Sequence, residues 1–312
     1  MSFFFEVLIG GLLAGVMYSL VALGFVLIYK ASGVFNFAQG AMVLFAALSL
    51  ARLAEWLGPY LDWAALPVAL VLTMAIMTLL AYAIEFLVLR RLVNQEGIIL
   101  FMATIGITFF LDGFGQTLWG SDIYKINLGM PKQGLIVLES VFDGGVLIEP
   151  ADVIAGLIAA VLVTILAIFF QKTRIGRALR AVADDHAAAQ SVGIPLNQIW
   201  LIVWTVSGLV ALVAGMIWGS KLGVQFSISL VALKALPVLI LGGFTSVPGA
   251  IVGGLIIGAG EKLSEVFLGP PLIKMFDLAG GGIENWFAYV LALVFLIFRP
   301  QGLFGEKIIE RV

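Results

Sequence analysis

Apolar runs of about twenty residues dominate this chain, and few folds can house them. Read between charges and turn residues, they fall near 3–29, 36–56, 64–89, 97–119, 151–170, 199–220, 229–243, 248–268 and 284–298. A run of that length crosses the hydrocarbon core of a bilayer as a helix, because only a helix satisfies every backbone N–H and C=O inside one segment. The expected fold class is therefore all-α, a polytopic transmembrane helical bundle of eight to nine spans. Composition removes the soluble alternative: 62% of the 312 residues are hydrophobic and 12% are charged, against roughly 45–50% and about 25% in soluble domains. Residues 1–312 read as one membrane domain. The first run starts without a basic flank and exceeds a signal-peptide core, so it is expected to remain as the first span.

Two details of the span pattern stay open in the residues themselves. The run at 229–243 is short and holds Lys234 and Pro237, and the next run is Gly-rich. This pair reads as two spans or as one broken re-entrant element; two spans is the reading adopted. An odd count then puts the termini on opposite sides, and Lys and Arg decide which. With the first connection cytoplasmic, that side holds ten of the 17 basic residues, including Arg90, Arg91, Arg174, Arg177 and Arg180, and the other side holds six. The amino terminus is expected outside and the carboxyl terminus inside. The 120–150 connection is then periplasmic, a folded loop or surface helix, and the 171–198 connection is cytoplasmic. Gly11 and Gly15, Gly249 and Gly253, and Gly254 and Gly258 are small-xxx-small pairs of the kind that let helix backbones approach.

Several kinds of chemistry are excluded. No G-x-x-x-x-G-K-[ST] loop is present, so the chain has no phosphate-binding loop with which to hydrolyse ATP itself. With zero Cys and His186 as the sole histidine, thiol chemistry, a histidine triad and a multi-histidine metal site have no residues to draw on. A net charge of −2 without a basic tract offers nucleic acid no footprint. Ionisable residues inside runs are few: Glu85, Asp112, Lys234 and Glu261, each near a run end where snorkelling would serve it. Lys234 lies deepest, where a cation costs about 2.5–3.5 kcal/mol on the insertion scale. That scarcity opposes a stand-alone, ion-driven carrier, the rival reading. No cofactor or metal is called for.

Two regions stop looking like generic lipid-facing helix. In Gly33-Val-Phe-Asn-Phe-Ala-Gln-Gly40 two amides open the second span. Asn36 can act as an N-cap, and a spacing of three places Gln39 over it on one face. Capping alone would explain them. The functional alternative is that this helix start lines a cavity, because uncharged amides can bind amino and carboxylate groups alike. The second region is the polar stretch Thr173–Pro195. Its Ala-rich centre favours helix, and Gly193 followed by Pro195 supplies a stop. Basic residues at 174, 177 and 180 precede acids at 184 and 185, the wrong order for the helix dipole. Something other than the helix itself is expected to use those charges.

With these residues in view, the chain resembles the branched-chain amino-acid ABC permeases, the membrane subunits of the high-affinity leucine/isoleucine/valine import system. The likeness runs through Gly10 to Tyr29, Asn36-Phe-Ala-Gln-Gly40, Ala103-Thr-Ile-Gly-Ile107, Arg174 to Pro195, Gly242-Gly-Phe-Thr-Ser-Val-Pro-Gly-Ala250 and Arg299-Pro-Gln-Gly-Leu-Phe-Gly305. The resemblance implies an importer half of type-II-like architecture in the bacterial inner membrane, a transport subunit without catalytic activity. It implies a second related permease, two cytoplasmic ATPase subunits and a periplasmic substrate-binding protein as partners. Asn36, Gln39, Thr104 and Lys234 are the expected substrate-pathway residues. A helix over 178–194 is the expected coupling element, with Arg180, Asp184, Asp185, Ala187, Ala188 and Gly193 meeting the ATPase. Family members often carry histidine where Gln39 stands, and relatives importing urea, short amides or aromatic acids share the framework, so these remain alternative substrates.

Overall fold

A computed structural model of the chain describes residues 2–33, 35–92, 95–129, 131, 133–137, 145–184, 186–277 and 282–305. Among the described residues six helices are 23 residues or longer: α1 (Ser2–Ser32), α2 (Gln39–Leu61), α3 (Ala65–Leu87), α4 (Gly97–Trp119), α5 (Pro150–Lys172) and, later in the chain, α8 (Leu196–Leu222). At 1.5 Å per residue, 23 residues run about 35 Å, longer than a hydrocarbon core of about 30 Å. By length and apolarity five helical segments among the described residues can cross a membrane, or up to six if Phe226–Gly242 and Val247–Phe276, which meet at a 114° bend, count together. The sequence expectation of eight or nine is larger partly because Gln39–Arg91 forms a single 53-residue segment by this measure. It consists of α2 and α3, joined at Asp62 with φ of +48° and packed against each other.

Side-chain exposure follows the same logic. Along α3 the buried positions are Ala65, Ala69, Thr73, Met77, Ala81, Ile84 and Glu85, a stripe at helical spacing. Between them Val71 and Leu79 stand 64% and 67% exposed, and on α4 Phe109 is 72% exposed. Such apolar surface suits lipid and would be unfavourable in water. By contrast α1 is buried without interruption from Met17 to Ile28, so its even, all-round apolarity fits a helix enclosed by protein.

The chain forms two compact units. One comprises residues 1–22, 129–163 and 234–312. Here α10 (Leu236–Gly242), α11 (Val247–Leu263) and α13 (Ile283–Phe298) pack together. Between α11 and α13 lie a π-helical turn, Ser264–Leu268, and α12 (Gly269–Phe276). The start of α1 runs antiparallel to α11, with Gly11 against Gly258, Gly15 against Gly254 and Ser19 Oγ 3.2 Å from the Ile251 carbonyl. A Cβ on Gly15 would stand 2.5 Å from the Gly254 carbonyl oxygen, so the two backbones touch only because no side chain intervenes. Beyond α13, Leu303 N–H donates to the Leu241 carbonyl at 2.8 Å and Phe304 N–H to Gly242 at 3.1 Å. These bonds satisfy carbonyls that the end of α10 leaves open. The 120–150 connection holds a two-stranded antiparallel hairpin, β1 (Leu135–Val137) with β2 (Val146–Ile148), where a loop or surface helix was expected. Val, Leu and Ile in both strands favour extended pairing over helix.

The other unit comprises residues 23–128 and 164–233. It is built around α2, whose first thirteen residues, Gln39 to Ala51, are all buried. Helices α3, α4 and α8 surround it. The 171–198 connection adds α6 (Arg174–Asp184) and α7 (His186–Ser191), and α9 (Val231–Lys234) ends at the point in the sequence where the other unit resumes.

Candidate functional site

Three of the four expected pathway residues converge where α2 begins. The helix starts at Gln39 rather than 36, and Asn36 stands ahead of it. Asn36 Oδ1 accepts from Ala38 N–H at 3.1 Å, an Asx-type turn, so Asn36 shapes the entry to the helix and is not its N-cap. Its Nδ2 donates to Gln39 Oε1 at 3.4 Å, the pairing that a spacing of three foretells. Thr104 on α4 completes the turn: its Oγ1 accepts from Phe37 N–H at 3.3 Å and donates to the Phe101 carbonyl at 2.8 Å. Asn36 and Gln39 are 0% exposed and Thr104 is 2% exposed.

Two residues that sequence reasoning missed hold the node together. Ser207 on α8 donates from Oγ to Gln39 Oε1 at 2.7 Å, and its carbonyl faces Gln39 Nε2 at 3.5 Å. Gly24 on α1 leaves a notch for the carboxamide, since a Cβ there would collide with Gln39 Nε2. Neither carried a local signal, because one glycine or one serine inside an apolar run is unremarkable by itself. A row of rings flanks the polar groups, with Phe25 stacked on Phe35 at 4.8 Å and Phe37 edge-on to Phe35 and to Phe101, both at 5.0 Å.

Lys234 belongs to a different cluster. Its Nζ lies 2.9 Å from Glu261 Oε1 and 3.8 Å from Glu284, which in turn bonds Lys262 at 3.0 Å. Tyr18 also hydrogen-bonds Glu261. Glu261 is 2% exposed, as is Glu85, which lies 3.6 Å from Arg90. Snorkelling does not describe these carboxylates; they are buried and paired, which is the way low dielectric tolerates charge.

The candidate coupling element is helical but starts earlier than expected. Thr173 Oγ1 accepts from Gly176 N–H at 3.1 Å, capping α6 at Arg174 rather than 178. Arg180 donates to the Phe170 carbonyl and, at 3.4 Å, to that of Gln171, so it caps the end of α5. After α7 the stop is a Schellman motif: Gly193, with φ of +84°, donates to the Gln190 carbonyl at 3.0 Å and Ile194 to that of Ala189 at 3.0 Å. Ala188 and Gly193 are exposed. Asp185 lies outside the described residues, as do the side chains of Asp184 and Ala187.

Residues 7–299 match the family described as branched-chain amino acid transport system, permease component. The chain belongs to the branched-chain amino acid transport permease family. It is 28% identical over 318 residues to the high-affinity branched-chain amino acid transport system permease protein BraD of Pseudomonas aeruginosa, covering 99% of this permease and 98% of that one. The corresponding Escherichia coli protein LivH is 25% identical over 315 residues, again 99% and 98%. A probable LivH of Methanocaldococcus jannaschii is 29% identical over 96% of this permease and 92% of that protein. No solved structure matches. The similarity spans both compact units, so the buried node and the helical connection lie inside the shared framework.

Proposed function

We propose that this permease is the membrane-spanning subunit of a binding-protein-dependent importer of branched-chain amino acids in the inner membrane, working by alternating access. ATP is hydrolysed by two separate cytoplasmic subunits, a second related permease completes the pathway, and a periplasmic binding protein delivers substrate. The architecture proposed is type-II-like with nine spans: α1 to α5, α8, the 226–242 segment, α11 with α12, and α13. The antiparallel run of α1 against α11 and the return of residues 303–304 to the end of α10 support that count. An odd count and the Lys/Arg excess favour a periplasmic amino terminus and a cytoplasmic carboxyl terminus.

The observation that carries the substrate reading is the node of Asn36, Gln39 and Thr104 beside the Phe25, Phe35, Phe37 and Phe101 rings. Neutral amides and a hydroxyl suit the head of a zwitterion, and aromatic rings suit an aliphatic side chain. No net charge is fixed there, so neither end of a zwitterion is held too tightly to leave. The amides bond one another and Ser207, so substrate replaces those bonds as the helices part. Lys234, neutralised by Glu261, is assigned to the scaffold and not to the pathway. On the cytoplasmic side the stretch 188–193, exposed except at Ala189 and ended by its Schellman stop, is proposed to receive the push of the ATPase. Arg180 contributes by holding α6 to α5.

The test is leucine uptake by the complete complex in proteoliposomes. Gln39→Leu is expected to lower uptake while assembly and stimulated ATPase activity persist. Wild-type uptake kinetics in both Asn36→Ala and Gln39→Leu would remove these residues from the pathway.

A further inference from the structure

Four positions beyond the Gly193 stop, Asn197 lies in the first turn of α8, and little slack separates the two. Pro195 stands between them with φ of −78°, and its carbonyl accepts from Gln198 N–H at 3.2 Å, so the hydrogen-bonded backbone resumes at once. Leu196, Ile199 and Trp200 are buried, and the Trp200 indole donates to the Ala31 carbonyl at 3.1 Å. Asn197 instead meets the end of α3. With its amide oxygen toward the guanidinium, it accepts from Arg90 Nε and Nη2, both at 3.2 Å; the reverse placement would set NH2 against donors alone.

Arg90 follows α3 in a 3-10 turn, Leu89–Arg91, and its side chain is 48% exposed, yet it is not free to swing into solvent. Glu85 Oε1 lies 3.6 Å from Nε, is itself buried and has no hydrogen bond among the described residues. That spacing is too long for a bond, so charge alone holds the guanidinium there, and its departure would leave a buried carboxylate unpaired. The Phe86 ring, 5.6 Å from Arg90 Cζ, backs the same position. Arg90 is thus a post fixed to α3, and Asn197 is the hook on α8. The two helices also pack together, but apolar contact is non-directional and lets surfaces slide, whereas two bonds to one guanidinium fix a position. We propose that Asn197 is a positioning residue for coupling, the tie through which motion of the 188–193 stretch reaches α3 by way of Arg90. This rests on that stretch receiving the push of the ATPase and adds which second helix moves with α8 and which side chains carry the motion.

The experiment measures leucine moved per ATP hydrolysed in the complete reconstituted complex, with melting of each purified complex beside it. Asn197→Ala removes the hook but leaves the Arg90, Glu85 and Phe86 contacts intact, so melting should stay near wild type while transport per ATP falls. Asn197→Asp should restore coupling, because its carboxylate accepts from both guanidinium N–H groups and an anion suits the first turn of a helix. In a permease whose post is already gone through Arg90→Gln with Glu85→Gln, adding Asn197→Ala should cause no further loss. A merely structural contact would lower melting and leave leucine per ATP untouched, and that result overturns the inference. Asn197→Asp as uncoupled as Asn197→Ala, or full additivity of Asn197→Ala with the loss of the post, does the same. Ala188→Trp separates the two readings: if it uncouples while Asn197→Ala does not, the tie alone fails, and if it couples normally, the receiving stretch and the tie fall together. Should Asn197→Ala not assemble, Arg90→Lys decides, since it keeps the charge for Glu85 but loses the two-pronged bond; wild-type coupling in that variant overturns the tie.

Discussion

Replacing Lys234 by Met removes the cation from a carboxylate that has nowhere else to turn. Glu261 is 3% exposed at its side chain and Lys234 33%, with 2.9 Å between the charged atoms. Breaking a buried pair on one side costs about 3–5 kcal/mol, because the remaining charge stays desolvated. With Lys234 one-third exposed and Tyr18 still bonded to Glu261, the lower end applies, about 3 kcal/mol. Glu261→Gln is milder. Lys234 keeps Glu284 at 3.8 Å, and the loss is one charge-assisted bond, about 1.5–3 kcal/mol. The double variant Lys234→Met with Glu261→Gln removes both charges and leaves an amide oxygen for Tyr18. Replacing both members of a buried pair is often close to neutral, so this variant should lie within about 1 kcal/mol of wild type. The singles therefore sum to at least about 4.5 kcal/mol and the pair to about 1, a coupling well above 2 kcal/mol. The assay is equilibrium unfolding of the four purified proteins in one lipid–detergent mixture. A Lys234→Met protein within about 0.5 kcal/mol of wild type, or a double variant as unstable as the sum, would refute the reading of Lys234 and Glu261 as a coupled, stabilising pair.

Gly15→Leu should prevent stable folding, since even a Cβ would meet the Gly254 carbonyl at 2.5 Å, whereas Gly10→Leu, with nothing within 4 Å, should melt like wild type. In this cysteine-free chain, Ser121→Cys should react with an impermeant thiol reagent in intact spheroplasts and Gln190→Cys should not; the opposite pattern inverts the topology. Ala188→Trp, on an exposed face of α7, should leave the melting of the isolated permease unchanged but lower substrate moved per ATP hydrolysed. Normal coupling in that variant would assign the connection to an ordinary solvated surface.

The parts of this permease that were legible from residues alone are those set by local pattern. Apolar length fixed where helices α1 to α5 and α8 lie, since the bilayer's thickness and the helix rise leave little choice. The Gly193-Ile-Pro195 stop and the Asn36 to Gln39 contact could also be read, because both join residues within one turn of chain. Helix starts were less secure: Thr173 and the Asx turn at Asn36 moved two of them by three or four residues, through side-chain bonds that compete with helix geometry. Small-xxx-small spacing marked Gly11, Gly15, Gly254 and Gly258 as contact points without saying that they would meet one another. What only the tertiary structure decided are the long-range partners. Ser207 stands 168 positions from Gln39 and Glu261 stands 27 from Lys234, and no periodicity links such pairs. Which helix faces which is chosen by the packing of whole surfaces. A buried polar group must then take the partner that packing provides.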